Sequence, residues 1–196
     1  MGKIEQLRER VREAYSAVAQ RPQDEHPFPV GRRFAESICY PQDVLAGLPS
    51  VAVDAFTGVS NVSIFADISP GVTVLDLGCG AGLDSLIAAR RTGPEGKVVG
   101  VDFSHSMFVR ACQAAAELGI DNAEFHHAEV ENLPIGDGVI DVALLNGIFN
   151  LNPARHAIFQ ELARVMRPGG TVYAAELILI GPLPPEILES EINWFR

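Results

Sequence analysis

From residue 72 onward the chain alternates short apolar runs with stretches that carry an apolar residue every three or four positions. Val72-Thr73-Val74-Leu75-Asp76-Leu77, Lys97-Val98-Val99-Gly100-Val101-Asp102, Ala123-Glu124-Phe125-His126 and Val139 to Leu145 have the length and β-branched content of strands, and Thr171 to Ile180 predicts a fifth. Between them, residues 83–92, 105–118 and 154–166 have helical spacing; in the second the stripe is Met107, Ala111, Ala114, Ala115 and Leu118. The third is predicted to stop at Arg167-Pro168-Gly169-Gly170, where proline cannot continue a helix and glycine turns the chain. Continuously apolar strands separated by helices predict a mostly parallel sheet covered on both faces. Right-handed crossovers then give a doubly wound α/β fold, which takes its ligand at the carboxyl ends of the strands, beside the first of them.

Ahead of this region the pattern differs. Ile4, Leu7, Val11, Ala14, Tyr15 and Val18 form a helical stripe, with Arg8, Glu9, Arg10, Arg12 and Glu13 on the wet face. The helix is expected to end before Arg21-Pro22, with loop over 21–33 and short helical pieces over 34–69. We therefore expect residues 1–69 to be an N-terminal helical extension or lid and residues 70–196 to be the core domain.

Composition narrows the function classes. At 196 residues and 47% hydrophobic the chain suits a single domain. Its formal net charge of −10 disfavours nucleic acid, since Arg32-Arg33 and Arg90-Arg91 are isolated pairs and no basic patch offsets the repulsion. The three cysteines, Cys39, Cys79 and Cys112, are too few and too scattered for a disulfide framework or a zinc site. They fit a reducing, cytoplasmic compartment. The N-terminus lacks the apolar core of a signal peptide, and the apolar stretch from Ala174 to Gly181 is short and broken by Glu176, so no membrane partner is expected. His126, His127 and Glu129 are metal ligands by type, but adjacent strand residues face opposite ways, so the imidazoles do not converge and no metal is expected.

The chemistry concentrates at Asp76-Leu77-Gly78-Cys79-Gly80-Ala81-Gly82-Leu83-Asp84, which follows a strand and opens a helix. Glycines there let the backbone turn sharply and approach a ligand. The spacing is G-x-G-x-G, with Leu83 where a dinucleotide enzyme has its third glycine. Asp76 opposes a pyrophosphate but suits a ligand bearing an ammonium group. Asp102 ends the next strand, at the distance expected of a ribose-binding acid, and its two oxygens can accept from both ribose hydroxyls. A nicotinamide-dependent enzyme is thereby disfavoured.

With these residues the sequence resembles the class I S-adenosylmethionine (SAM) dependent methyltransferases. The stretches that carry the resemblance are Val74 to Gly82, Val99 to Ser104 with Met107, Ala128-Glu129-Val130-Glu131-Asn132-Leu133-Pro134, Asp141 to Asn146, and Leu162 to Gly170. The resemblance implies that Asp76 and the backbone of Gly78, Cys79 and Gly80, in the loop that Gly82 closes, face the methionine part of SAM. It implies that Asp102 grips the ribose, Phe103 and Met107 pack on the adenine, Glu129 accepts from the adenine amino group and the Val130 backbone reads the ring. Asn146 is implied to sit beneath the sulfonium. It further implies in-line methyl transfer to an unidentified small molecule, leaving S-adenosylhomocysteine (SAH).

A narrower resemblance, to the arsenite methyltransferase branch, rests on Val11 to Tyr15, Tyr40-Pro41, Leu48-Pro49 and Asn146 to Leu151. In that branch Tyr15 would close over the methionine end. That branch places thiols where Gly147 stands and near Gly58, and As(III) is held by convergent thiolates, so arsenic chemistry is disfavoured here. The alternative of a different class is a module that binds SAM or SAH without turnover. No catalytic residue is assigned: the methyl is already activated, and Tyr15, Asn146, Phe149 and Asn150 are the expected surroundings of the acceptor. Seven strands are usual in this family. After the fifth, this sequence offers only an acidic helix-like segment, Pro185 to Phe195. An edge left open in this way is expected to pair with a second copy as a homodimer.

Overall fold

The computed structural model describes residues 3–178 and 181. The segment Pro185 to Phe195 lies outside the described residues, as does the end of the stretch predicted as the fifth strand.

Five strands form one fully parallel sheet in the order β3-β2-β1-β4-β5. They are β1 (Thr73–Leu77), β2 (Lys97–Asp102), β3 (Ala123–His127), β4 (Ile140–Asn146) and β5 (Met166–Ala175). Helices α6 (Leu83–Thr92), α7 (His105–Leu118) and α8 (Arg155–Val165) link β1 to β2, β2 to β3 and β4 to β5. The order reverses between β1 and β4, so the chain leaves their carboxyl ends in opposite directions and opens a crevice there.

Alternation along each strand divides the core. Leu75, Leu77, Val99, Val101, Ala143 and Leu145 point one way, onto Ile158, Leu162 and Val165 of α8. Val74, Val98, Val142 and Leu144 point the other way, onto Ala88 and Ala89 of α6 and Val62 of α5 (Val62–Phe65). Each of these strand residues is at most 6% exposed, which is why the strands read as unbroken apolar runs. Local signals set the helix ends: Ser104 caps α7 by accepting from the Met107 N–H, and Gly119 closes it in the left-handed conformation.

The extension comprises α1 (Lys3–Gln20), α2 (Arg32–Ser37), α3 (Gln42–Ala46), α4 (Ser50–Val53) and α5. It shares a core with the sheet domain: Tyr40, Leu45, Ala52, Val53 and Phe56 are buried with Leu83, Leu86 and Ile87 of α6 and Ala114 of α7.

One expected boundary moves. β5 begins at Met166, which pairs with Ile140, and the register then shifts before Val142 pairs with Thr171. Arg167-Pro168-Gly169-Gly170 is therefore an irregularity within the strand, with Gly169 at φ 85°, and the regular strand ends at Ala175. No helix among the described residues is long and apolar enough to cross a membrane.

Candidate functional site

The residues of the crevice surround one cavity. Its floor is the loop after β1. Gly78 and Gly80 have φ values of 74° and 54°, a conformation that side-chain-bearing residues avoid, and the N–H groups of Gly78 and Cys79 both donate to the Val101 carbonyl. This locks the loop onto the end of β2. A Cβ on Gly80 would meet nothing within 4 Å, so its backbone faces open space, whereas one on Gly78 would come within 3.1 Å of the Ile148 side chain.

Three buried carboxylates line the cavity: Asp76, Asp84 and Asp102, which are 2%, 6% and 5% exposed. Asp102 accepts from the Gly80 N–H through one oxygen and from the Ser104 N–H through the other, each at 2.8 Å. Asp76 accepts from Ser85 at 2.5 Å. Asp84 accepts from Tyr40 at 2.6 Å, from Ser63 and from Asn146. None of the three is in an ion pair with a described cation. Burial pushes the Asp76 carboxyl up to about 8, with the negative charge of Asp84 adding to it. Burial also lifts Asp102, to about 6, against the lowering pull of the two N–H donors. Asp84 is raised by burial as well, offset in part by its hydroxyl and amide donors. Uncompensated buried charge of this kind costs several kcal/mol unless a cation arrives or a proton is taken up.

Tyr15 of α1 lines the cavity from above, its ring stacked on Phe28 with centroids 5.0 Å apart. Burial and the negative charge of Asp102 hold its phenol well above the usual range, with Thr57 as its hydrogen-bond partner. Phe103, Glu129 and Val130 form another wall. Val130 is buried, while the half-exposed Glu129 pairs with Arg12 at 2.7 Å, and the Arg12 guanidinium lies 5.7 Å from the centre of the Phe103 ring. Phe56, Thr57, Gly58, Gly147 and Ile148 also line it, with Gly58 against the Asn146 amide and Ile148 against Gly78.

Most residues expected in the site thus meet around one space: Tyr15, Asp76, Gly78, Cys79, Gly80, Asp102, Phe103, Glu129, Val130 and Asn146. Two corrections and one refinement follow from the geometry. Met107 does not line the cavity; on the inner face of α7 it is fully buried against Ala81, Val18, Ala19 and Ala55. Gly82 lies off the cavity too: it caps α6, and a Cβ there would press on Ala111 of α7. The Asn146 side chain is turned aside, with Oδ1 accepting from the N–H groups of Val59 and Ser60, and Nδ2 donating to the Ser60 carbonyl and to Asp84. Of the two oxygens expected to face a sulfonium, the side-chain one is thus already engaged, which leaves the backbone oxygen of Asn146 for that place. His126 and His127 diverge as predicted: His126 meets Glu124, and His127 meets the Phe103 carbonyl.

Sequence reasoning assigned no role to Asp84, Tyr40, Ser63 or Ser85. The available signal was Asp84 itself, an acid in the first turn of a helix whose early residues Leu83, Leu86 and Ile87 are apolar. Its partners, from three separate segments, carry no local signal.

Residues 68–194 match the family model described as a methyltransferase domain. The arsenite methyltransferase of Halobacterium salinarum is 37% identical over 153 residues, covering 78% of this chain and 39% of that one. The demethylmenaquinone methyltransferase of Bacillus cytotoxicus is 32% identical over 111 residues, covering 56% of this chain and 46% of that one. Among solved structures, the arsenic(III) S-adenosylmethionine methyltransferase CrArsM of Chlamydomonas reinhardtii superposes with a TM-score of 0.63 at 27% identity, over 83% of this chain and 56% of that one. The chain spans about two-fifths to a half of the length of the curated relatives it matches. The chain therefore belongs to the methyltransferase-domain family, and within it resembles the arsenite methyltransferase branch of the class I SAM-dependent members.

Proposed function

We propose that this chain binds SAM in the cavity between the β1 loop and α1, and promotes methyl transfer to a small molecule held beyond Asn146. The observation that carries this reading is the set of three buried carboxylates that no cation among the described residues pairs with, set around a glycine loop that leaves its backbone open. Their chemistry fits a ligand with an ammonium group, a sulfonium and a ribose. Asp76 and the backbone of Gly78 and Gly80 would hold the amino-acid end, and Asp102 the ribose hydroxyls through its remaining lone pairs. Phe103, Glu129 and Val130 would surround the base.

When bound, SAM supplies an activated methyl group on a neutral leaving group. The protein's task is then orientation and the exclusion of water. Tyr15 roofs the cavity with an un-ionised phenol, and Phe56, Ile148 and Leu151 give the acceptor end apolar walls.

An arsenite acceptor is disfavoured despite the names of the relatives. Of the three cysteines only Cys79 lines the cavity, and it lies in the glycine loop. Cys39 and Cys112 are exposed elsewhere, and among the described residues no cluster of three or more potential metal ligands occurs. Soft As(III) would find no convergent thiolates.

The test is calorimetric titration with SAM and SAH, combined with a methyl-transfer assay on phenols, amines and arsenite. Binding with transfer to a phenol or amine is the expected result. Binding without any transfer would favour a SAM- or SAH-binding module, and the absence of binding would overturn the assignment.

A further inference from the structure

The surroundings of Asn146 can be traced from contact to contact. Tyr40 joins two residues that line the cavity: its ring meets Phe56 edge-on with centroids 5.0 Å apart, and its hydroxyl donates to Asp84 at 2.6 Å. Asp84 also accepts from the Asn146 amide, Gly58 lies against that amide, and Gly147 and Ile148 follow in the chain. Glu176, the first residue after β5, holds this loop. One of its oxygens accepts from the N–H groups of Ile148 and Phe149, at 2.8 and 3.1 Å, and the other is buried without a partner. Glu176 does not itself line the cavity, but its negative charge acts on the Tyr15 phenol, which does.

Two properties of this space bear on the acceptor. The first is charge. Asp84 is held by neutral donors, from Tyr40, Ser63 and Asn146, and Glu176 by backbone N–H groups. Neither is in an ion pair with a described cation, and the two arginines that line the cavity, Arg8 and Arg12, are paired with Glu131 and Glu129. An anion entering here would meet uncompensated carboxylates, whereas an ammonium would supply the missing charge. The rings of Tyr15 and Phe56 offer a cation further attraction. The second property is the lack of a base. Among the described residues no histidine or lysine lines the cavity. Burial and the charge of Asp102 keep the Tyr15 phenol un-ionised, burial keeps the Cys79 thiol protonated, and both oxygens of Asp84 are taken by donors. An alcohol or phenol must give up a proton when it is methylated, whereas an amine carries a free lone pair and needs no such partner.

We propose that the methyl acceptor is an amine, and that Asp84 and Glu176 determine this specificity by supplying the charge that holds its ammonium product. The proposal rests on the reading under Proposed function and narrows it to one acceptor class. The nitrogen lone pair forms the bond to the methyl carbon, and the electrons of the carbon–sulfur bond stay on sulfur. The positive charge passes from sulfur to nitrogen, and no proton moves. While the sulfonium is present it repels a second cation, so the acceptor enters as the free amine; after transfer the same carboxylates face the new ammonium.

Two measurements on the full chain test this. The first is calorimetric titration of the SAH-loaded protein with three probes of one shape: 2-phenylethylamine, 2-phenylethanol and 3-phenylpropanoate. The amine is expected to bind about tenfold more tightly than the alcohol, and the propanoate most weakly. Asp84→Asn and Glu176→Gln are each expected to cut the amine-to-alcohol ratio about three- to tenfold. A ratio taken within one protein cancels any loss of folded chain common to both probes. The second measurement follows labelled methyl from SAM in the presence of 2-phenylethylamine, its N,N-dimethyl derivative or 4-ethylphenol, with label expected on nitrogen. Binding of none of the three probes, equal affinity for amine and alcohol, or tightest binding of the propanoate overturns the amine preference and leaves SAM binding in place. Absence of label on nitrogen overturns the acceptor class in the same way. A substitution that leaves the ratio unmoved removes that residue from the role. Failure of the parent protein to bind SAH overturns the functional reading and the acceptor class together.

Discussion

The Asn146 amide donates to a carboxylate oxygen of Asp84 at 2.9 Å, joining the end of β4 to the first turn of α6 across the mouth of the sheet. The same side chain accepts from the N–H groups of Val59 and Ser60, so it also fixes the loop that carries Thr57 and Gly58 into the cavity. Asn146→Ala strands the two loop N–H groups and removes a donor from a buried carboxylate. We expect a loss of about 2–3 kcal/mol, the range for orphaned buried polar groups, and a fall in Tm of roughly 5–10 °C for a chain of this size. Asn146→Asp should be worse, because it places a second negative charge beside Asp84. Thermal unfolding of both variants measures this, and a Tm shift under about 2 °C for each would remove the network from the argument.

Gly58 is what makes room for that amide. A Cβ at Gly58 would lie 2.5 Å from Asn146 Nδ2 and 2.7 Å from Cζ of Phe56, closer than real contacts allow. Gly147 has φ 81°, and a Cβ there would approach Val59 to 3.0 Å. Gly58→Cys with Gly147→Cys should therefore disrupt the loop rather than build a thiol site, at a cost of about 2–4 kcal/mol from overpacking and a left-handed backbone. Denaturant unfolding and arsenite titration check this together. A stable double variant that gained arsenite binding would show the pocket to be far more plastic than these contacts imply.

The sheet was legible because burial on both faces demands unbroken apolar strands, and Val74, Leu75, Val98, Val99, Leu144 and Leu145 meet that demand visibly. The loop residues were legible because glycine in the left-handed region and acids at strand ends are local features. Met107 misled because its spacing speaks of a face of α7 and not of which neighbour that face meets; the neighbour is Ala81 of the glycine loop itself. The orientation of Asn146 was hidden because it depends on Val59, Ser60 and Asp84, brought together from distant segments. The start of β5 was missed because Pro168 and Gly169 signal a stop, while the ladder with β4 absorbs them as an irregularity.

β5 is the edge of the sheet, and among the described residues no strand pairs with its outer side. Val172 is 43% exposed on it, and Phe65 packs edge-on against Tyr173 nearby. An exposed apolar edge is a template for another strand, and we propose that a second copy of the chain occupies it. Sedimentation at micromolar concentration should give twice the chain mass, and Val172→Lys should shift the population toward monomer. A monomer for the parent chain at all concentrations would leave the edge without this partner.

Asp102 carries two backbone N–H groups and retains lone pairs toward the cavity. Asp102→Ala should weaken SAH binding by about 1–3 kcal/mol, the range for hydrogen bonds to a charged group, which is roughly five- to 150-fold in Kd. Because Gly80 and Ser104 lose an acceptor as well, Asp102→Asn is the companion variant: its amide oxygen keeps one acceptor while the charge is gone. Calorimetry on both separates the contribution of charge from that of loop geometry. An unchanged Kd in both would remove Asp102 from the ribose role.

The raised carboxylates also predict how binding depends on pH. Asp76 is lifted to about 8 and Asp102 to about 6, so in the free protein protons are retained well above the ordinary carboxylate range. A carboxylate whose folded value is raised contributes stability that is fully present below its unfolded value near 4, and that is lost as pH climbs through the folded value. The free protein should therefore lose stability between about pH 4 and pH 8. A permanent cation reverses the preference, because it binds the ionised carboxylates and expels their protons. SAM and SAH share the same amino group, whose own titration cancels in their ratio, and only SAM carries the sulfonium. The ratio of SAM to SAH affinity should rise across this window, by at most about tenfold per pH unit for each proton displaced. Calorimetry in buffers of different ionisation enthalpy should show more protons released by SAM than by SAH near neutral pH. A flat affinity ratio with equal proton release would mean that the three carboxylates do not sense the sulfonium, and the electrostatic basis of the cofactor assignment would be lost.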